Sequence, residues 1–440
     1  MFQNPSKQYR PETWFHYING NVDKDGITAD LEAIAQSGLA GVQFFHGGGF
    51  SDGWKGVKEP VYCLSDKWED LVKYTASEAQ RLKLRFTMQN CPGWSMSGGP
   101  WIDFDHTMRG LVRSTTQVEG GKTVEIQLPA DGKPAPNDQD YRDLMVLAFP
   151  TPLGEGEEPL WTGKYKFEPT TADQPQVIEV KLPKAAVART LQTSNINGFS
   201  HGFCCNPDVH FRVEAVDAKG EAHEVLSADC PNANWQDRPS MSYPLTEVPG
   251  CSHYKIYVYN QHPMTLNSIS LLAAAKQPNW EAEAGWTART ALHTENDIEQ
   301  NPEAYVNKNA IVDLTDKMDA EGNLRWEAPQ GKWTVLRIGH VNTRRRNGPA
   351  PKEATGWECN KLDPSGPDLH FQNYIGKFTS GFLKGLVSNM LLDSWECETQ
   401  TWTEKMPEEF QRMTGYELRT WIPALFGYVL DNNETTARFL

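Results

Sequence analysis

Thr13-Trp-Phe-His-Tyr-Ile18, followed at once by Asn19-Gly-Asn21, is the stretch on which the fold turns. Its aromatic and apolar residues read as a strand, and the polar turn-formers behind it end that strand in a loop. An amphipathic helix must follow if the strand belongs to a parallel sheet. Thr28 can cap one: Leu31, Ile34 and Ala35 recur at helical spacing, and Gly38 stops the run before a second strand predicted over 40–45. Gly47-Gly48-Gly49 then forms a permissive loop. Ser65 and Asp66 start a second helix with Trp68, Leu71, Val72, Ala76, Ala79 and Leu82 on one face, and a third strand is predicted over 84–89. Strand, helix, strand in this order is the mark of βα units around a parallel sheet. Its loops at 19–21, 46–49 and 90–99 would line the active-site face of a barrel.

Outward from this block the character changes. Residues 118–330 are rich in Pro and Gly and carry alternating segments at 177–182, 210–216, 254–259 and 310–314, an all-β, sandwich-like insertion. Residues 333–338 read as another strand that fits either domain. The α/β rhythm resumes with Phe371, Tyr374, Ile375, Phe378 and Phe382 on one helical face before a strand over 387–392, and helices are predicted over 407–413 and 423–430. The expected organisation is an α/β (β/α)8 TIM-type barrel over 1–117, interrupted by the β-insertion at 118–330 and continued over 331–440. About five barrel strands can be counted where closure needs eight. The barrel is therefore expected to be incomplete, and the chain to continue in the natural protein.

The 440 residues contain 42 Lys and Arg against 57 Asp and Glu, a net charge of −15 that disfavours nucleic acid and anionic membrane as partners. No apolar run approaches the ~18 to 20 residues of a membrane span, and Met1–Arg10 shows no signal-peptide core. The 8 Cys have no CxxC spacing, which argues against a zinc site or disulfide scaffold. GxSxG, GxxxxGK[ST] and HExxH motifs are lacking. The 15 Trp stand out because several lie beside Gly, Asn and carboxylates, where flat amphipathic rings suit sugar faces.

The strongest chemical signal is Asp393, Glu396 and Glu398 directly after an apolar strand, with Trp395 and Trp402 beside them. A carboxyl group at a buried strand end next to indoles is partly desolvated and can hold a proton, as a general acid for glycosidic cleavage must. The alternative is a helix cap and a salt-bridge partner. Asn19, Asn21, Asp23 and Asn90 offer oxygen ligands or sugar hydrogen bonds at strand ends, or plain turns. His16, His46 and His340 could bond hydroxyls or serve as structural histidines. Arg344-Arg-Arg346 reads as a solvated loop or a contact for an acidic sugar.

Further stretches then make the pattern specific. Trp14-Phe-His-Tyr-Ile-Asn-Gly-Asn21, Gly26-Ile-Thr-Ala-Asp-Leu-Glu32, Gly41-Val-Gln43, Asn90-Cys-Pro-Gly-Trp-Ser95, Ser97-Gly-Gly-Pro-Trp-Ile102, Gly331–His340, Pro349-Ala-Pro351, Glu358-Cys-Asn-Lys-Leu362, Asp393-Ser-Trp-Glu396, Trp402-Thr403 and Gly415-Tyr416 together resemble glycoside hydrolase family 106, the α-L-rhamnosidases. The resemblance spans nearly the whole chain. It implies an interrupted (β/α)8 barrel, an inverting mechanism with two glutamates, and a calcium ion near the sugar hydroxyls. Glu396 falls on the family's Asp-Ser-aromatic-Glu motif as general acid, with Glu398 an alternative acid or a calcium ligand alongside Asn21 and Asp23. The family's general base is expected beyond Leu440, so the chain alone should be nearly inactive.

The expected partner is a rhamnose-containing oligosaccharide or polysaccharide of plant type, held by Trp14, His16, Asn19, Asn90, Trp94, Trp101, Asp393 and Trp395. A periplasmic or secreted location follows from the resemblance. Two other readings remain open: a glycan-binding protein without turnover, and a retaining glycosidase of other specificity.

Overall fold

The computed structural model describes residues 5–48, 59–130, 140–196, 204–205, 208–292, 298 and 300–440. Two compact units emerge. Residues 1–109 with 342–403 form one, and 110–341 with 404–440 the other.

The first unit is built on a parallel sheet of four strands, β1 (Glu12–Ile18), β2 (Gly41–Gly47), β3 (Arg85–Gln89) and β4 (Asn389–Leu391), in that spatial order. All three pairings are parallel. Helix α1 (Lys24–Gln36) joins the first two strands, and α2 (Asp66–Arg81) precedes the third. Phe15, Tyr17, Val42, Phe44, Phe86 and Met88 point to one face and pack on Ile27, Leu31, Trp68, Leu71, Val72 and Ala76 of the two helices. Alternation does the sorting, since residues two apart share a face. Tyr17 buries its hydroxyl there by bonding Thr75 Oγ1 at 2.6 Å.

Ser65 caps α2 as its sequence suggests. The cap of α1 is Asp23 rather than Thr28: its Oδ1 accepts from Gly26 N at 2.8 Å, and the helix begins a turn earlier than predicted. Thr28 instead bonds Lys24 O from inside the helix. The single helix expected through Phe371 and Phe382 is two, α3 (Ser365–Asn373) and α4 (Ile375–Ser380), broken at Tyr374, whose φ of −124° and ψ of −99° are not helical. Phe371 consequently turns outward, 46% exposed, while Tyr374 and Phe378 are buried.

In the second unit, two four-stranded antiparallel sheets form the expected sandwich. One orders Met241–Pro244, Thr190–Thr193, Met264–Leu272 and Trp161–Phe167; the other Ala222–Asp229, Val209–Val216, His253–Asn260 and Gln176–Lys181. Both inner faces feed one core, with Phe211, Val213, Ile256 and Val258 facing Leu191, Leu266 and Leu271.

A further antiparallel sheet orders Val312–Asp313, Arg142–Pro150, Lys332–Asn342 and Arg109–Glu119. It claims the segment 333–338 that sequence left between domains. That strand is almost entirely buried, so its apolar run mimics a barrel strand although it pairs antiparallel with Arg142–Pro150. The expected domain limits at 117 and 331 fall inside Arg109–Glu119 and just before Lys332–Asn342. Met406–Thr414 is helical, as predicted for 407–413. The helix predicted over 423–430 is instead a 3-10 segment, Arg419–Phe426, ended by Gly427 in the left-handed region.

Among the described residues the parallel sheet is open, not a closed barrel. The chain is a mixed α/β protein with many sheets and few helices. Among the described residues, no helix is long and apolar enough to cross a membrane.

Candidate functional site

The face of the parallel sheet opposite the helices differs in kind. Trp14 and His16 on β1 are exposed there, beside Phe45 of β2. Their rings gather around Trp94 from the loop after β3, with centroids 6.4 Å from Trp14, 5.6 Å from His16 and 5.9 Å from Phe45. Gly47 makes room for that indole: a Cβ at this position would lie 2.9 Å from the Trp94 ring.

The loop after β3 is held rigidly. Ser95 Oγ donates to Gly348 O and accepts from Gly348 N at 3.1 and 2.8 Å, and Gly93, at φ 90°, packs against Gly348. Asn90 donates through Nδ2 to Met96 O at 3.0 Å and through its backbone N–H to Leu391 O at 2.9 Å. His370 fixes it from below. The ring accepts at Nδ1 from Trp101 Nε1, so Nε2 carries the proton donated to Asn90 O at 2.7 Å. Burial pulls the pKa of His370 down to about 4, so the ring stays neutral. The side-chain oxygens of Gln89 and Asn90 and Nδ2 of Asn19 are buried without a protein partner, all at the C-terminal ends of strands.

The acidic segment follows β4 and runs beside that loop. Ser394 N donates to Trp94 O at 3.0 Å, and Ser394 Oγ to Asp393 Oδ2 at 2.9 Å. Partial burial, with the Asp393 charge adding to it, raises the pKa of Glu396 above the usual carboxylate value. Glu398 sits at φ 59°, in the left-handed region, and pairs with Arg345 at 2.5 Å. The indole of Trp395, 42% exposed, donates to Glu398 O.

The structure thus brings Trp14, His16 and Trp94 into one aromatic cluster, and places Asp393, Trp395, Glu396 and Asn90 along the adjoining rim. Trp101 does other work, stacking on Tyr374 with centroids 5.7 Å apart. His46 is structural: on the helix side it accepts from Trp68 Nε1 at 2.7 Å, and burial lowers its pKa to about 4. His340 is buried in the second unit near Glu404. Arg344, Arg345 and Arg346 are all exposed, as a solvated run would be, and Arg346 lies over the Trp357 ring, 4.4 Å from its centroid. Gly49 falls outside the described residues.

Sequence reading assigned no role to Gln89, Glu358, Lys361 or His370. Glu358 and Lys361 form a buried pair, Nζ to Oε2 2.7 Å. Although burial opposes the charge, Glu358 beside it holds the Lys361 ammonium above its ordinary range. Two signals point to the pair: the three-residue spacing of opposite charges and the place of Glu358-Cys-Asn-Lys-Leu362 among the stretches that carry the family resemblance.

Calcium donors are a poor fit in this geometry. Asp23 spends Oδ1 on capping α1 and Glu398 is engaged by Arg345. Among the described residues, the acid and histidine trio close enough to share an ion is Asp217, Glu221 and His223, in the second unit.

Exposed indoles and a carboxyl whose pKa is raised by partial burial thus lie at the C-terminal rim of parallel βα strands, groups of the kind glycoside hydrolases use. The chain belongs to the α-L-rhamnosidase family, glycoside hydrolase family 106, whose model matches residues 3–440. It is 29% identical over 444 residues to a protein of Formosa agariphila named, provisionally, a beta-glucuronidase, covering 100% of this chain and 27% of that one. The fold is also that of a solved rhamnosidase structure from Novosphingobium sp. PP1Y, with a TM-score of 0.75 and 24% identity over 100% of this chain and 43% of that one. The chain therefore spans well under two thirds of the length of either relative.

Proposed function

We propose that the chain carries the proton-donating half of an inverting α-L-rhamnosidase site, acting on rhamnose-bearing plant-type glycans outside the cytoplasm. The observation that carries this reading is Glu396: a carboxyl of raised pKa at the end of a parallel strand, beside an exposed indole. Family membership supports the substrate class. In this reading the four parallel strands belong to a (β/α)8 barrel, and the aromatic cluster of Trp14, His16 and Trp94 lies on its inner face.

Glu396 gives its proton to the glycosidic oxygen as the bond to the anomeric carbon lengthens, and the departing sugar leaves as an alcohol. Water attacks from the opposite face, losing its proton to a second carboxylate ~6.5 to 9.5 Å from the first. That base is assigned to the additional length the relatives possess. The unpartnered amide atoms, Asn19 Nδ2, Gln89 Oε1 and Asn90 Oδ1, are suited to sugar hydroxyls, which would supply the missing hydrogen bonds. Calcium enters this reading only as an ion that would have to draw Glu398 away from Arg345, and no step depends on it.

Glu396→Gln in the longest natural polypeptide containing this chain is the test. Turnover of an α-L-rhamnoside should fall by ~10²- to 10⁴-fold with binding retained. Undiminished turnover removes Glu396 from the mechanism. Sugar binding without any product, even by the unmutated polypeptide, selects the binding-protein reading. The relative named a beta-glucuronidase motivates a second specificity; release of a uronic acid in place of rhamnose would establish it.

A further inference from the structure

Glu358-Cys-Asn-Lys-Leu362 is a motif whose acid and base take no part in the proton transfer. Their side chains are 0% and 7% exposed. Glu358 is fixed by its backbone, which donates to Arg345 O and accepts from Met108 N, both at 2.9 Å, and pairs with Gly98. Lys361 Nζ is held by Glu358 Oε2 at 2.7 Å and by Cys359 O at 3.3 Å, and lies over the indole of Trp395, 5.0 Å from its centroid. Trp395 precedes Glu396 in the chain and reaches from this buried pair towards solvent.

Burying two charges is expensive, and an apolar pair of similar size generally stabilises a fold as well or better. An apolar pair has no directional attraction for an aromatic face. An ammonium does, and the attraction strengthens when it is desolvated. We propose that Lys361, clamped by Glu358, is a positioning residue that holds the Trp395 indole beside Glu396 as a platform for the sugar ring. This rests on the glycosidase reading and adds to it: Lys361 touches no substrate and acts through Trp395.

The test uses the longest natural polypeptide containing this chain. Lys361→Met should raise KM for an α-L-rhamnoside by ~5- to 30-fold while kcat stays within ~3-fold, and Lys361→Arg, which keeps the cation, should restore most of the loss. In a Trp395→Leu background Lys361→Met should add nothing further, because the two act as one unit. Additive effects, or an unchanged KM, overturn the proposal.

A second measurement needs no sugar. The emission of Trp395, taken as the difference between a protein and its Trp395→Leu variant, should shift when Lys361 becomes Met. If Lys361→Met does not fold, Lys361→Gln must shift that emission and Trp395→Leu must raise KM with kcat held, and failure of either overturns the proposal. Should the unmutated polypeptide cleave no rhamnoside, the glycosidase reading fails by itself, while the emission shift still decides whether Lys361 positions Trp395.

Discussion

The parallel sheet of the first unit and the sandwich of the second each rest on four-stranded sheets with alternating side chains, yet they use alternation differently. In the sandwich, Val209–Val216 and His253–Asn260 bury every second residue in a core shared by two sheets. In the parallel sheet, Phe15, Tyr17, Val42 and Phe44 are buried against helices, while the other face carries Trp14 and His16 in the open, and buried amide atoms of Asn19, Gln89 and Asn90 without protein partners lie at the strand ends. Among the described residues, that face offers aromatic rings and single unpaired amide atoms, the groups the proposed sugar site would use. The sandwich, with its inner faces satisfied by each other, is organised for stability.

The sharpest way to break that contrast is to remove one indole from each face of the parallel sheet. Trp68, fully buried on the helix side, packs against Phe378 and holds His46. Trp68→Ala should destabilise the first unit by ~3 to 5 kcal/mol in denaturant titration, since it opens a cavity and strands a buried histidine. Trp14, 51% exposed, should behave oppositely. Trp14→Ala should leave unfolding within ~0.5 kcal/mol of the parent but weaken sugar binding about 10-fold by calorimetry. Equal losses of stability in both variants would abolish the distinction between the faces.

A smaller effect probes the second unit, where a buried polar network replaces ligand chemistry. Arg289 is already paired with Asp237, at 2.9 and 3.0 Å, and Thr287 bonds the same carboxylate. Glu281 lies 4.0 Å from Arg289 and accepts from Ser242 at 2.6 Å. Burial outweighs these partners and lifts its pKa from 4.5 to about 7. Between those values the folded state binds more protons at Glu281 than the unfolded state does, so stability falls as pH rises through the window. Glu281→Gln should flatten this dependence, changing the drop in Tm between pH 5 and 8 by about 2 to 4 °C. An identical slope in the variant would show that the carboxyl is charged throughout.

What the sequence discloses differs between the same two regions. The strands at Glu12–Ile18, Gly41–Gly47 and Arg85–Gln89 are visible because each is a short apolar run closed by turn residues, and α2 because Ser65 caps a regular apolar face. The start of α1 is misread because Gly26 in its first turn looks like a loop, although Asp23 is the cap. The break at Tyr374 has no local marker, since all five aromatic and aliphatic positions keep helical spacing across it. At the site, Glu396 and the indoles are visible as unusual neighbours in sequence. Their supports are not: His370 meets Asn90 across 280 residues, and Ser95 meets Gly348 across 253. Such contacts are made by the fold, and no spacing rule announces them.

Calcium gives the smallest expected effect and sharpens the contrast in a different way. An ion that organised the open face would need several oxygens free to converge on it. Asp23 instead satisfies an end of α1, and Glu398 is paired with Arg345 at 2.5 Å. In the second unit Asp217, Glu221 and His223 do converge, but Asp217 Oδ1 already accepts from the backbone of Lys219 and Glu221, both at 2.9 Å, and Oδ2 bonds His223 at 3.1 Å. Those are the internal bonds of a hairpin between Val209–Val216 and Ala222–Asp229. Chelation should therefore move the melting temperature of the chain by no more than about 1 °C, because a ligand stabilises only with the logarithm of its concentration over Kd, which is negligible for a weakly held ion. A rise of several degrees on adding calcium, abolished by Glu398→Gln, would mean that the ion displaces Arg345 and that the open face is completed by a metal rather than by sugar alone.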